Sequence, residues 1–146
     1  MKSVAKLIDV ICNVYDTFLL PEYSSSTGFT YCNLAAEEIA ISLGCNDFHG
    51  RLANDMIYIM QTSPDWSEVP MEKAQELANQ GSLVFATHHK EPHGHICVIR
   101  PGLMKTSGRW GQVPSVMNIG RENFINKSIN WAFSEYPKLY VWRLSL

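Results

Sequence analysis

Apolar side chains at Val4, Leu7, Ile8, Ile11, Val14, Tyr15, Phe18 and Leu19 recur every three or four positions. That spacing predicts an amphipathic helix over residues 4 to 20, ended by Pro21. After a loop rich in Ser and Gly, a second helix is predicted from Cys32 to Leu43. Its inner face is Leu34, Ala35, Ile39 and Leu43, with Ala35, Ala36 and Ala40 small enough for close packing on a sheet. A third helix, 51 to 61, turns Leu52, Met56, Ile59 and Met60 inward, and a fourth, 71 to 79, does so with Ala74, Leu77 and Ala78. Between them, 66 to 70 reads as a short irregular passage.

From Ser82 the period changes. Leu83 to Ala86 and His95 to Arg100 are apolar runs of strand length, separated by a polar loop. A loop at 108 to 112 carries Trp110, and Val113 to Ile119 reads as a strand weakened at its start by Pro114. Residues 120 to 123 read as a turn, Asn126 to Phe133 as a short helix, and Leu139 to Leu144 as a last strand. Helices first and strands after, with short links, predict an α+β fold in which N-terminal helices pack on a small antiparallel sheet. The 146 residues suit one domain, with no repeat, linker or low-complexity tract.

Composition narrows the partners. The chain is 46% hydrophobic and 18% charged, with a formal net charge of -2, so no basic excess points to nucleic acid or to an anionic membrane surface. No run reaches the ~20 apolar residues of a membrane helix. Asp9, Asn13 and Asp16 interrupt the first apolar segment, so synthesis in the cytoplasm without a cleavable signal peptide is expected.

The four cysteines, Cys12, Cys32, Cys45 and Cys97, have irregular spacing and no C-x-x-C pair. Cys12 and Cys97 lie in apolar patterns and are expected in the core, and Cys45 after Gly44 at a helix end is expected as a surface or semi-buried thiol. Cys32 is placed differently, in the first turn of a predicted helix. There backbone N–H groups and the helix dipole favour an anion, hence a thiolate, and Thr30 or Ser26 can cap the helix. Such a cysteine is a candidate nucleophile if a base lies nearby. His95, opening a strand directly after Gly94, is the candidate base. Asn118, on the next strand, can accept a bond from the imidazole, with Gln112, Ser115 and Asn123 as rivals. The Cys32 N–H and a donor from the preceding turn would bind the oxyanion.

Four stretches in order carry a resemblance: Thr30-Tyr31-Cys32-Asn33, Ala53-Asn54-Asp55-Met56, Ala78 to Val84, and Gly94-His95-Ile96-Cys97-Val98-Ile99-Arg100-Pro101-Gly102. Together they resemble the NlpC/P60 and CHAP superfamily, over about residues 28 to 142. The resemblance implies a single papain-like catalytic domain, 1 to 146, that hydrolyses amide bonds of peptidoglycan stem peptides as an amidase or endopeptidase. It places nucleophile, base and orienting group on Cys32, His95 and Asn118, with no metal or other cofactor. Tyr31 and Asn33 beside the nucleophile, and Trp110, are assigned to substrate binding. Trp131 and Trp142, in patterned segments, are expected in the core.

A wall hydrolase without a leader would be a phage lysin released by a holin, or an antibacterial effector injected by a secretion system and met by an immunity protein. The alternatives are a papain-like protease or deamidase acting on a protein, or a non-catalytic binding module. A rival chemistry lies in His88, His89, His93 and His95, four imidazoles within eight residues. They suit zinc or nickel, although a structural site draws ligands from two separated segments, and the simpler expectation is a surface loop.

Overall fold

The structure is a computed structural model and describes residues 2–24 and 30–146. Among these, four α-helices pack on an antiparallel sheet of six strands, an α+β fold. In α1, Val4–Phe18, Ser3 accepts the Lys6 N–H at 2.9 Å and caps the helix. Leu7, Ile11, Val14 and Phe18 form its buried stripe, and the helix stops there, leaving Leu19 exposed.

Helix α2, Cys32–Ser42, buries Cys32, Ala35, Ala36, Ile39 and Ala40. That stripe turns Leu34 outward, contrary to the expected inner face. Its small side chains bring the helix backbone close to the sheet. Helix α3, Ala53–Thr62, buries Met56, Ile57 and Met60, while Leu52, just before it, is exposed. Helix α4 spans Met71–Asn79, as predicted. No helix among the described residues is long and apolar enough to cross a membrane.

The strands are β1 Trp66–Val69, β2 Val84–His88, β3 His95–Ile99, β6 Ser115–Asn118, β7 Phe124–Ser128 and β8 Lys138–Trp142, in the order β1-β8-β2-β3-β6-β7. Between β3 and β6 lies a separate hairpin of β4 Lys105–Ser107 and β5 Gly111–Val113. Side chains alternate across the sheet. Phe85, Ile96, Val98, Met117, Tyr140 and Trp142 join the core with α1, α2 and α3. Val84, Ala86, Cys97, Ile99, Val116 and Val141 join a second core with α4, Phe124, Ile129 and Phe133.

Three predicted elements change. The irregular passage at 66 to 70 is the edge strand β1, and Trp66 pairs with Trp142. The loop around Trp110 is the turn of the β4–β5 hairpin. The helix expected over 126 to 133 is instead β7 followed by a 3-10 turn, Ile129–Trp131. Pairing with β6 overrides the helical spacing there, and the register shifts between Val116 and Asn118. Carbonyls of the shifted segment are satisfied by cations: Arg100 donates to Ile125 O at 3.0 Å, and Lys105 Nζ lies 3.4 Å from Asn126 O. Trp131, expected in the core, is 62% exposed because the 3-10 turn points it outward.

Candidate active site

The site forms where α2 meets the first residues of β3. The N-cap of α2 is Tyr31, which makes no side-chain cap bond, so Thr30 does not cap this helix; Ser26 lies outside the described residues. Cys32 is the first helical residue and is 5% exposed. Backbone N–H groups of Ile96, Asn33 and Cys32 itself point at the sulfur and favour its anion. Burial opposes them and wins, raising the thiol's pKa above the ordinary 9.0. The expectation of a favoured thiolate is therefore reversed: the helix-start N–H groups are present, but the buried sulfur loses more by leaving water than they return.

Ile96 follows His95 in the chain, so the thiol lies against the peptide unit that joins the two residues. The paired registers of β3 and β6 are Val98 with Met117 and Ile99 with Val116. The opening of β3, where His95 and Ile96 lie, is outside that paired stretch. A small cavity of about 10 Å³ adjoins the thiol, between Ala35, Ala36 and Ile39 of α2 and Phe85, Val98 and Met117 of the sheet. It is apolar and about the size of one water.

By alternation His95 shares its side of the sheet with Cys97 and Ile99, and as the first residue of β3 it sits at the sheet's end, next to the Ile96 N–H that meets the thiol. Its Nε2 lies 2.6 Å from Asn118 Oδ1. Asn118 is buried, and its Nδ2 donates to Glu122 O at 2.8 Å. That second bond fixes which end of the amide faces the imidazole. The oxygen accepts, so Nε2 carries the proton and Nδ1 keeps the lone pair. Burial lowers the His95 pKa below 6.5, the Asn118 bond raises it less, and His88 adds to the lowering. Thiol and neutral imidazole are the resting forms.

Two close approaches shape the imidazole's surroundings. A Cβ on Gly94 would overlap Asn54 Oδ1 and stand 2.8 Å from His88 O. Asn54 of α3 clamps the loop ahead of His95, donating to Lys90 O at 3.0 Å and accepting the Lys90 N–H at 3.4 Å. A Cβ on Gly120 would stand 3.1 Å from His95 Cε1 and 3.6 Å from Asn118 Nδ2. Only a residue without a side chain leaves the ring its present place.

The structure thus brings His95 and Asn118 together and sets Cys32 against the amide next to His95. The rivals of Asn118 are engaged elsewhere. Gln112 donates to Thr106, Ser115 N–H to Gln75, and Asn123 Oδ1 accepts from Gly120. Tyr31 packs edge-on to Tyr23 at 5.3 Å, next to the nucleophile, and Asn33 donates to Arg51 O at 3.4 Å. Trp110 lies with the α4-side core, under Arg109 at 4.4 Å and edge-on to Tyr136 at 5.2 Å. Of the expected oxyanion donors, the Cys32 N–H is present, and residues 25–29 of the preceding turn lie outside the described part.

The other cysteines are free thiols. Cys45, expected near the surface, is 1% exposed and pushed up to about 12 by burial. Cys12 is half-buried rather than core, and Cys97 is buried. The histidines of the 88 to 95 segment take separate partners: His88 faces Glu135 at 3.2 Å, His89 faces Glu91 at 3.5 Å, and His95 faces Asn118. Among the described residues no three His, Cys, Asp or Glu side chains converge as a metal site would require.

Asn54, Gly120 and Phe133 were not read from the sequence as parts of the site. Asn54 stood in one of the quoted stretches and Gly120 in a predicted turn; Phe133 carried no signal. Neither protein-family models nor curated proteins match this chain.

Proposed function

We propose that this chain is a papain-like cysteine hydrolase of the NlpC/P60 and CHAP type, cleaving amide bonds in peptidoglycan stem peptides. The observation that carries the reading is the 2.6 Å bond from His95 Nε2 to Asn118 Oδ1, with the Cys32 thiol held at a helix start against the neighbouring Ile96 amide. An Asn-held imidazole beside a cysteine at a helix N-terminus is an arrangement suited to acyl transfer.

In this reaction His95 Nδ1 takes the thiol proton as Sγ attacks the amide carbonyl. The carbonyl oxygen becomes an oxyanion, stabilised by backbone N–H groups around the nucleophile. The imidazolium then protonates the leaving amine, and a thioester remains on Cys32. Water, deprotonated by Nδ1, attacks the thioester, and the thiol leaves with its proton restored. Asn118 accepts from Nε2–H throughout and so keeps Nδ1 on the reacting side. The reaction as written uses no metal or other cofactor. Access to the wall would come from a holin or a secretion system, and an immunity or inhibitor protein would cover the site.

The test is muropeptide release from purified sacculi, with and without a chelator. Wild type is expected to release peptide fragments and Cys32→Ala none. Equal digestion by Cys32→Ala overturns the thiol mechanism, and loss of wild-type activity on chelation moves the chemistry to the histidine loop.

A further inference from the structure

Beyond Asn118, a second set of residues closes on His95 from the segment between the 3-10 turn and β8. Phe133 is 5% exposed, and its ring centre lies 5.2 Å from that of His95, tilted by 58°. The backbone around Phe133 is gripped from the β4–β5 turn. Arg109 Nη2 donates to Phe133 O at 3.0 Å and Nη1 to Ser134 O at 2.6 Å. A guanidinium fork on two successive carbonyls fixes direction as well as distance. Arg109 is itself held, since Ser107 Oγ accepts its N–H and that of Trp110, each at 3.2 Å.

One residue further on, Glu135 Oε2 lies 3.2 Å from His88 Nε2. His88 is the direct cross-strand partner of His95 in the β2–β3 ladder. Directly opposed residues share a face, with Cβ atoms about 4.5–5.5 Å apart. The segment 133 to 135 is therefore fastened twice: to the hairpin by Arg109, and to the neighbour of His95 by Glu135.

A single hydrogen bond at Nε2 leaves the imidazole free to tilt about that contact. We propose that Phe133 is a positioning residue for His95, and that Arg109 and the Glu135–His88 pair are two clips that hold it on the imidazole. This rests on reading His95 as the base. A ring that tilts no longer presents Nδ1 in one direction, and misplacement of about 1 Å can cost about 10²-fold in rate.

The test reads the imidazole directly. Side-chain nitrogen NMR of His95, above its titration, reports the share of ring protonated at Nε2. Phe133→Ala is the obvious variant, but Phe133 is a core residue, so the clips carry the decision. Arg109→Gln and Glu135→Ala are expected to fold, to lose the pure Nε2–H signature, and to lower kcat by about tenfold or more with KM within about twofold. Arg109→Lys keeps the charge without the fork and should behave like Arg109→Gln. Glu135→Gln can still bond to His88 and should recover most of the wild-type signature. A wild-type Nε2–H signature in both Arg109→Gln and Glu135→Ala overturns the proposal, whatever their activity. Failure of the hydrolase reading would show separately, as no muropeptide release by wild type, and failure of His95 as the base as digestion that survives His95→Ala.

Discussion

His95 Nε2 and Asn118 Oδ1 are 2.6 Å apart, and Asn118 has its own Nδ2 committed to Glu122 O at 2.8 Å. The amide therefore faces one way and imposes one tautomer on the imidazole. Asn118→Ala is expected to lower kcat/KM by about 10–100-fold, the range typical of an orienting partner. Asn118→Asp puts a carboxylate there and favours the imidazolium, so the acid limb of kcat/KM should move to higher pH. Steady-state kinetics on a soluble muropeptide across pH 4 to 9 checks both, and an Asn118→Ala rate equal to wild type removes the orienting role.

The pH dependence follows from two opposite shifts. His95 titrates below 6.5 in the fold because burial disfavours its cation, so the stability it contributes is present above 6.5 and is lost as pH falls. Cys32 titrates above 9.0 because burial disfavours its anion, so its contribution is present below 9.0 and is lost as pH rises. The Tm difference between wild type and His95→Gln should shrink below pH 6.5, and that between wild type and Cys32→Ala should shrink above pH 9. Differences flat with pH in thermal scans would contradict the two burial effects.

Gly120→Ala places a methyl 3.1 Å from His95 Cε1. The contact is tight enough that one group must give by a few tenths of an ångström, and the imidazole edge is expected to be the one that yields. The expected outcome is a kcat loss well short of the ~10²-fold that a 1 Å misplacement costs, of about threefold to tenfold, with little change in Tm. Parallel kinetics and melting curves decide, and a variant that loses stability but keeps its kcat would show that the backbone moves instead.

Gln75 is 2% exposed and joins three elements. Its Nε2 donates to Arg100 O at 2.9 Å and to Asn79 Oδ1 at 3.0 Å, and its Oε1 accepts the Ser115 N–H at 2.8 Å. Gln75→Leu strands a part-buried carbonyl and a buried N–H, the latter worth about 1–3 kcal/mol and the former less. Urea unfolding should show a loss of about 2–4 kcal/mol. A loss below about 0.5 kcal/mol would mean that these groups find other partners.

Periodicity made the helices readable because each carries its own apolar stripe: Leu7, Ile11, Val14 and Phe18 need no partner to be seen. Strand β1 was not readable. Four residues are too few for a period, and Trp66 to Val69 become a strand only by pairing with β8, more than 60 residues further on. The segment after Phe124 misled for a similar reason, because its spacing fits a helix while β6 imposes strand pairing through Ser128. Trp131 followed that error out of the core.

Within the site, Cys32 at a helix start and His95 after Gly94 at a strand start were legible, because both are local positions in a local pattern. Asn118 was one of four candidates. Register chose among them, and register depends on pairing between distant strands. The thiol's preference was misjudged, because a helix N-terminus is local and burial is not: Cys32 lies between α2 and the sheet, and that enclosure outweighs the N–H groups. The sequence by itself determined where α2 and β3 begin, and so the local positions of Cys32 and His95. Tertiary structure decided what His95 is bonded to, what presses on it and how far from water the thiol lies, since each is a contact between residues far apart in the chain.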